Sequence, residues 1–299
     1  TLKFIGFPQS FDFDSSGNFY ILDYRSAKIH KYDLGMKQTA VFGGKGQGPG
    51  EFQNAAKMLI RNDTIFVPDA WSWCVNKLDL TGQFITNKQY DDFEKAPVDI
   101  CRFGPKYISR FLGNTSEDGV RYGLTILSLF GEGLDYEREL YKSKRKIDYS
   151  VEYDPSATGT VYTTNDTELY MYVNSKTDYK IDVYDLDGNK KRTLKKNYAR
   201  IKNSEENIKK QQEIAEKYGM KFKTEFQNSI YRMHTDKYGH LWVSSSTLKE
   251  EKGSYFDIFK DEIFINRIKI GIDEGYYITQ VGEKIITVNG NNNIKIYEY

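Results

Sequence analysis

The sequence predicts an all-β protein, a six-bladed β-propeller with four-stranded antiparallel blades. One observation is a repeated unit of roughly 40 to 50 residues, a period typical of propeller blades. A second is composition, because 24 Tyr and 18 Phe favour strands, and Gly beside Asn or Asp marks the turns between strands. A third is that the first and last segments of the chain together complete one unit.

The first unit shows the pattern. A turn leads into a strand in "DSSGNFYILD" (14–23), and a short loop leads into a second strand, "KIHKYDL" (28–34), which alternates with period two. Five further units repeat this order. Their paired segments are 61–69 with 74–85, 103–111 with 123–133, 165–173 with 179–194, 236–245 with 255–270, and 282–290 with 293–299.

The two chain ends indicate a closed ring. The last unit stops after its third strand, and "TLKFIG" (1–6) precedes the first unit without a unit of its own. Pairing these ends would supply the missing fourth strand and remove exposed sheet edges. We therefore expect residues 1–299 to form a single propeller domain, closed by the N-terminal strand.

One segment departs from the strand pattern. "NSEENIKKQQEIAEKYG" (203–219) predicts a helix with Asn203 as its cap, Glu206 as the partner in a capping box and Gly219 as its end. It belongs to an insertion at about 198–228, between blades four and five. A surface decoration is favoured over a flap or partner contact.

Composition excludes several functional classes. The net charge of +1 gives no overall field to attract nucleic acid, so no nucleic-acid partner is expected. No apolar run is long enough to cross a bilayer. The chain begins at Thr1, so a removed export signal or lipid anchor stays open. Cys74 and Cys101 match no metal or redox motif, and a bridge between them is left open. We expect a monomer.

The glycine-rich stretch "FGGKGQGPGEF" (42–52) is not a phosphate-binding loop. The third glycine of a dinucleotide fingerprint would fall on Pro49 or Glu51, and a P-loop would need glycine where Thr39 stands. We interpret the stretch as the connection from the outer edge of blade one to the inner strand of blade two, with Phe52 as its anchor.

Residues 44–85 resemble an NHL-type repeat, with a glycine-rich lead-in ending in Gly-x-Phe and a strand ending in Val-x-Asp. Residues 11–43 fit the same frame. The whole chain resembles the bacterial six-bladed propellers grouped with TolB-like and NHL propellers, many of which are exported or lipid-anchored. Ala55 departs from the proline usual in NHL repeats, and 70–74 replaces a small polar loop. The resemblance implies the fold and an extracytoplasmic location, but no activity.

Aromatic and basic residues predict a binding surface on one face of the propeller. "PDAWSWC" (68–74) places two tryptophans in the loop between the second and third strands, near the glycine-rich stretch. Large aromatic side chains in loops either cover a blade or recognise a ligand. In blade three a long loop from Arg110 to Arg121 is expected. The candidate binding residues are Tyr24, Arg25, Trp71, Trp73, Arg110, Arg232 and His234.

The metal-dependent alternative depends on His234, which we place on the innermost strand of blade five. Six-bladed relatives that are lyases or lactonases hold a divalent ion in the central channel, and the resemblance makes Asp12 and Asp99 further candidate ligands here. Ca²⁺ or Zn²⁺ would be the ion. "DFDSSG" (12–17) and "DLDGN" (185–189) superficially resemble calcium loops, but turns are favoured at both.

Two functions are consistent with these observations. The first is a non-enzymatic scaffold or binding propeller of the bacterial cell envelope, without a cofactor, which binds an unknown protein or small molecule on its loop face. The alternative is a metal-dependent lyase or lactonase-like hydrolase. No Gly-x-Ser-x-Gly motif or local Ser–His–Asp arrangement is present, and we assign no catalytic residue.

Overall fold

A computed structural model describes residues 2–4, 6–147, 159–217, 225–236, 238–246, 254–270, 277–281, 284–289 and 291–298. These residues form six antiparallel four-stranded sheets, which are the six blades of a β-propeller. The predicted fold class is therefore confirmed.

The first three blades follow the chain in order. Blade one contains β2 (Pro8–Phe13), β3 (Phe19–Asp23), β4 (Lys28–Tyr32) and β5 (Gln38–Gly43). Blade two contains β6 (Leu59–Arg61), β7 (Thr64–Asp69), β8 (Cys74–Asp79) and β9 (Phe84–Gln89). Blade three contains β10 (Asp99–Phe103), β11 (Lys106–Glu117), β12 (Val120–Phe130) and β13 (Tyr136–Lys146).

The last three blades complete the propeller. Blade four contains β14 (Thr160–Thr164), β15 (Leu169–Val173), β16 (Tyr179–Tyr184) and β17 (Lys190–Lys196). Blade five contains β18 (Ile230–Thr235), β19 (Leu241–Ser245), β20 (Ser254–Lys260) and β21 (Ile263–Ile270). Blade six contains β22 (Tyr277–Val281), β23 (Lys284–Val288), β24 (Asn293–Glu298) and the N-terminal strand β1 (Leu2–Lys3).

The N-terminal strand completes blade six, as the sequence predicts. Leu2 pairs with Ile294 and Lys3 with Asn293 in antiparallel register. The backbone N–H of Phe4 extends this ladder by donating to the carbonyl of Asn292 at 3.0 Å. Without β1 the outer edge of β24 would be left unpaired.

The chain divides into two compact units. Unit one comprises Thr1–Phe111, Ile126–Leu140 and Gly275–Tyr299, and unit two comprises Leu112–Thr125 and Tyr141–Glu274. Blades one, two and six lie in unit one, while blades four and five lie in unit two. The expectation of a single domain over 1–299 stays a prediction.

The core of each unit lies between neighbouring blades. In unit one, Tyr20 and Leu22 of blade one pack in one buried cluster with Ile65 and Val67 of blade two. In unit two, Tyr172 and Ile181 of blade four share a cluster with Met233 and Val243 of blade five, among others. Burying side chains of this size stabilises a fold by about 1.5–3 kcal/mol each, so adjacent blades depend on each other.

Phe52 anchors the glycine-rich stretch between blades one and two. Its side chain is fully buried in the cluster that joins these blades. Its backbone N–H donates to the carbonyl of Gly44 at 2.8 Å, which bends the chain back on itself. Gly43 is needed beside it, because its φ is +80° and a Cβ there would lie 2.8 Å from the Phe52 ring. The stretch leads to β6, in agreement with its interpretation as a connection.

A hydrogen bond recurs in four blades and brings two segments of each blade together. The residue after the second strand donates its backbone N–H to a carbonyl in the segment that leads into the first strand. The pairs are Tyr24 with Phe7, Ala70 with Asn54, Asn174 with Gly159, and Ser246 with Ser229. The loop between the second and third strands therefore lies on the same face as the chain leading into its blade.

Blade three contradicts one prediction. Residues 110–121 do not form a long loop, because β11 and β12 continue as a hairpin around Asp118 and Gly119. Both turn residues have positive φ, at 49° and 74°. Asp-Gly is a strong signal for such a two-residue turn. The residues on both sides of it are mostly polar, so the alternation of apolar and polar residues that predicts a strand is absent there.

The inserted helix α1 spans Glu205–Lys217, so the predicted helix is confirmed with different ends. Asn203 is not the cap, because Ser204 accepts from the N–H of Asn207 through Oγ at 3.2 Å. The predicted capping box is therefore wrong. Gly219, the predicted end, lies outside the described residues. No helix among those described is long and apolar enough to cross a membrane.

Candidate functional site: the loop surface of blades one and two

Asp69, the last residue of β7, fixes the loop that carries the two tryptophans. Its carboxylate accepts backbone hydrogen bonds from Gln53 at 2.6 Å and Asn54 at 3.0 Å, in the segment before β6. It also accepts from Trp71 at 3.2 Å and Ser72 at 3.4 Å, within the loop. Asp69 is buried, so these bonds are shielded from water and hold both segments in place.

Trp71 and Trp73 differ in how much of each side chain reaches solvent. Trp71 is 70% exposed and Trp73 is 41% exposed. The Trp73 ring lies 6.0 Å from the ring of Phe93, which in turn lies 5.5 Å from the ring of Phe111. The Trp73 ring is thus partly covered by the Phe93 ring, while most of the Trp71 side chain is open to a ligand.

The backbone of Trp73 lies in the left-handed region, with φ at 47°. The loops of blades one and six end the same way, at Ala27 with φ 54° and Asn292 with φ 57°. This conformation costs an L-residue roughly 1–2 kcal/mol, and Gly or Asn tolerates it best. A tryptophan in this position is therefore unusual. Strained backbone of this kind tends to persist where a site uses the side chain.

A cavity of about 350 Å³ lies between this loop and the glycine-rich stretch. Gln47, Gly48, Pro49 and Glu51 lie on one side, and Asp69, Ser72 and Cys74 form another. The Oε2 of Glu51 accepts from the N–H of Gly48 at 2.9 Å, which ties down the glycine-rich side. The sequence correctly placed the tryptophan loop beside this stretch, although Ser72, between the tryptophans, is the residue that lines the cavity.

The polar lining of the cavity is dominated by carboxamide groups. They belong to Gln47, Gln53, Asn76, Asn87 and Gln89. A carboxamide both donates and accepts hydrogen bonds. The described lining contains the carboxylates Glu51 and Asp69 but no Lys, Arg or His. These features favour a neutral polar ligand over an anion.

The cysteine in this cavity is Cys74, and its thiol is buried. Burial, with a smaller effect of Asp69, raises the pKa of Cys74 to about 11, so its thiol stays protonated. Cys74 and Cys101 are not joined by a disulfide bond, which answers the question of a bridge that the sequence left open.

The corresponding loop of blade one is fixed in the same way by Asp23. Its carboxylate accepts from the N–H of Phe7 and of Arg25, each at 3.0 Å, and from Ser26 Oγ at 2.7 Å. Burial favours a raised pKa for Asp23, but these donors outweigh it and hold the pKa below its usual value. The carboxylate is therefore ionised at neutral pH.

Phe7 brings Tyr24 and Arg25 together. The Arg25 guanidinium lies 5.4 Å from the centre of the Phe7 ring, and the Tyr24 ring lies 6.3 Å away. Phe7 is 44% exposed. Sequence reasoning missed it because it precedes β2 outside any predicted loop. The available signal in the sequence was an aromatic residue just before a first strand.

Three further candidate binding residues lie on strands of blades three and five. Arg110 belongs to unit one and forms a 3.0 Å ion pair with Asp99, its cross-strand partner on β10. Arg232 and His234 belong to unit two, where they lie on β18 opposite Ser244 and Trp242. The structure confirms β18 as the first strand of blade five.

The candidate metal ligands have other partners. Asp12 accepts from the N–H of Phe13 at 2.8 Å and of Ile60 at 2.6 Å. Burial raises the pKa of Asp12 to about 6. Within the described residues, no group of three His, Cys, Asp or Glu side chains is arranged to hold a metal ion.

The two calcium-like segments are turns. Asp14 accepts from the N–H of Ser16 at 3.0 Å and of Asn18 at 2.9 Å, and from Tyr20 Oη at 2.9 Å. Asp185 accepts similarly from the N–H of Asp187 and Asn189. These carboxylates stabilise hairpin turns, as the sequence favours.

The fold defines the class of this protein, a six-bladed β-propeller. A member of the DUF4221 family from Bacteroides vulgatus has a similar structure, with TM-score 0.55, 13% identity, and coverage of 98% of this chain and 96% of that chain. A putative exported protein from Bacteroides fragilis gives TM-score 0.54 and 9% identity, with coverage of 96% and 80%. A streptogramin B lyase gives TM-score 0.51 and 12% identity, with coverage of 98% of this chain and 83% of that chain.

At these identities the likeness shows the fold alone, and it confirms the resemblance to bacterial six-bladed propellers at that level. No protein-family profile matches the sequence. No curated protein matches it either.

Proposed function

We propose that this chain is a non-enzymatic binding propeller of the bacterial cell envelope, and that it binds its ligand on the loop surface of blades one and two. The observation that carries the proposal is the pair of exposed tryptophans, Trp71 and Trp73, on a loop fixed by Asp69. Covering large aromatic side chains is a major source of binding free energy.

The loop is ordered before any ligand arrives. Asp69 ties its backbone to the segment before β6, and Gln89 Nε2 donates to the carbonyl of Ser72 at 2.7 Å. A ligand therefore loses little affinity to ordering of the protein.

The ligand class is inferred from the cavity beside the tryptophans. Its carboxamides match hydroxyl groups, which also donate and accept, and an indole ring packs against the apolar C–H face of a sugar. The described lining has no cationic side chain that would favour a phosphate. We therefore take a neutral saccharide unit as the ligand class.

The envelope location is part of this proposal. It is supported by the resemblance to exported and lipid-anchored bacterial propellers and by a structural neighbour described as a putative exported protein. Fractionation of cells that express the full-length chain should recover it with the periplasm or the membranes. Recovery with the cytosol alone would contradict this location.

The binding test uses a glycan array followed by calorimetry with the best saccharide. The double variant Trp71→Ala with Trp73→Ala should weaken binding by about thirtyfold or more, since aromatic anchors of this kind contribute about 2 kcal/mol or more. Leu34→Ala is the matched control, because Leu34 is 71% exposed on the turn between β4 and β5. Unchanged affinity in a folded double variant would remove the tryptophans from the proposal.

A further inference from the structure

A second cavity, of about 360 Å³, lies in unit two between blades four and five. Its walls come from the start of β16, the ends of β17 and β19, the strands β20 and β21, and the segment 197–201 after β17. None of these residues belongs to the loop surface of blades one and two. Binding in this cavity is therefore independent of the proposed function.

A buried carboxylate organises this cavity. Asp257 is 0% exposed, and its Oδ1 accepts from Arg267 Nε at 2.8 Å. Its Oδ2 accepts from Lys196 Nζ at 2.8 Å and from Tyr179 Oη at 3.1 Å. Burial favours a raised pKa for Asp257, but the two cations outweigh it and lower the pKa, so the carboxylate is ionised. Asp257 thereby fixes the positions of Lys196 and Arg267.

The lining carries an excess of positive charge. Lys196, Arg200 and Arg267 are cationic, and Asp257 is the acidic residue among the described lining. The side chains of Lys196 and Arg267 are 28% and 43% exposed. Their charged groups thus reach the cavity as well as the carboxylate behind it. The excess of cationic over acidic residues in the lining attracts an anion.

The rest of the lining combines hydroxyl groups with apolar surface. Tyr198 Oη and Ser246 Oγ lie 2.7 Å apart, and Arg267 donates to Ser245 Oγ at 3.3 Å. The rings of Tyr179 and Tyr198 supply apolar walls. The volume is at the lower end of the range of about 300–1,000 Å³ for small-molecule sites.

We propose that this cavity binds a small organic acid. Its carboxylate lies against Lys196, Arg200 and Arg267, and its apolar body packs on Tyr179 and Tyr198. The planar guanidinium of arginine matches a carboxylate in two parallel hydrogen bonds, which gives selectivity for this group over a neutral amide.

The test measures binding of benzoate and of its neutral isostere benzamide to the full chain, by calorimetry and ligand-observed NMR. Benzoate should bind about tenfold more tightly than benzamide, the difference expected when a charged hydrogen bond is lost. Higher ionic strength should weaken benzoate binding more than benzamide binding.

Arg200→Gln is the main variant. Arg200 is exposed, and its guanidinium lies 3.6 Å from the centre of the Phe226 ring, so its removal leaves the Asp257 ion pairs intact. Benzoate affinity should fall by about fivefold to tenfold. Lys191→Gln makes the same charge change on β17, beside Glu168 and outside the cavity, and should leave the affinity unchanged.

Three results would each overturn the proposal. They are no binding of benzoate at millimolar concentration, equal affinity for benzoate and benzamide, and a benzoate affinity that neither Arg200→Gln nor Lys196→Gln changes. Thermal unfolding monitored by circular dichroism confirms that each variant is folded, so that lost binding is not lost structure.

Discussion

The carboxylate of Asp69 accepts a 2.6 Å hydrogen bond from the backbone N–H of Gln53. This bond joins two loops of blade two, because Gln53 precedes β6 and Asp69 begins the tryptophan loop. Asp23 and Phe7 repeat the relationship in blade one at 3.0 Å. An aspartate at the end of the second strand is thus the feature that holds the loop surface in shape.

Asp69→Ala should destabilise the protein and loosen the tryptophan loop. The substitution leaves four backbone donors without their acceptor, at Gln53, Asn54, Trp71 and Ser72. Each buried donor that loses its partner costs about 1–3 kcal/mol, and those near the surface recover water. We expect the free energy of unfolding, measured by urea denaturation, to fall by about 3 kcal/mol.

Asp185→Ala is the control for this prediction. Asp185 accepts two backbone hydrogen bonds, at 3.0 and 2.8 Å, but its turn is exposed, so water can replace the carboxylate. The free energy of unfolding should change by less than about 1 kcal/mol. An equal fall in the free energy of unfolding in the two variants would contradict the structural role given to Asp69.

Trp73→Gly should be more stable than Trp73→Ala, which reverses the usual order of these residues. Both variants lose the ring contact with Phe93, so the comparison isolates the backbone. At φ 47° alanine is strained and glycine is not. The difference in the free energy of unfolding should be about 1 kcal/mol.

The matched pair for Trp73 is Ser72→Gly and Ser72→Ala, at a neighbouring residue outside the left-handed region. There the alanine variant should be the more stable by about 0.5–1 kcal/mol. If Ala is also the more stable residue at position 73, the strain argument is wrong.

The blades could be predicted from sequence because their signals are local. A strand such as "KIHKY" shows its alternation within five residues, and turns rich in Gly, Asn or Asp separate many strands from the next. The closing strand β1 was also predictable, since one unit lacked a strand and one strand lacked a unit. The hairpin at Asp118 and Gly119 was missed because most residues next to its turn are polar, while the buried apolar residues lie further along its strands.

The sites were harder to predict because they depend on pairs far apart in the chain. Lys196 and Asp257 are 61 residues apart, and neither stands out within its own strand. Arg110 was expected at a binding surface, but its register on β11 places it opposite Asp99. Trp71 and Trp73 could be named because loop position alone predicts exposure.

The metal-dependent alternative is tested by metal content. Protein purified without chelator, incubated with Zn²⁺ or Ca²⁺ and desalted should hold no stoichiometric ion by mass spectrometry. The reason is that Asp99 is paired with Arg110 and both Asp12 oxygens accept backbone hydrogen bonds. A stoichiometric ion that is lost in His234→Ala would support a hydrolase or lyase and contradict this expectation.

The last prediction concerns pH and the buried carboxyl of Asp12. Burial raises its pKa from 3.8 to about 6, although the N–H groups of Ile60 and Phe13 partly oppose this. The folded state therefore binds the proton more tightly than the unfolded state. Stability from this group is consequently fully present below about pH 4 and is lost as the pH rises to about 6.

A shift of about two pKa units corresponds to about 3 kcal/mol. Asp12→Asn cannot ionise, so its free energy of unfolding relative to the wild type should rise by about that amount between about pH 4 and pH 7. Urea denaturation at a series of pH values measures this difference, in which the titration of all other groups cancels. Asp91→Asn, at an exposed position, controls for the chemical change. If the difference in free energy of unfolding between Asp12→Asn and the wild type stays constant across this pH range, the Asp12 pKa is not raised.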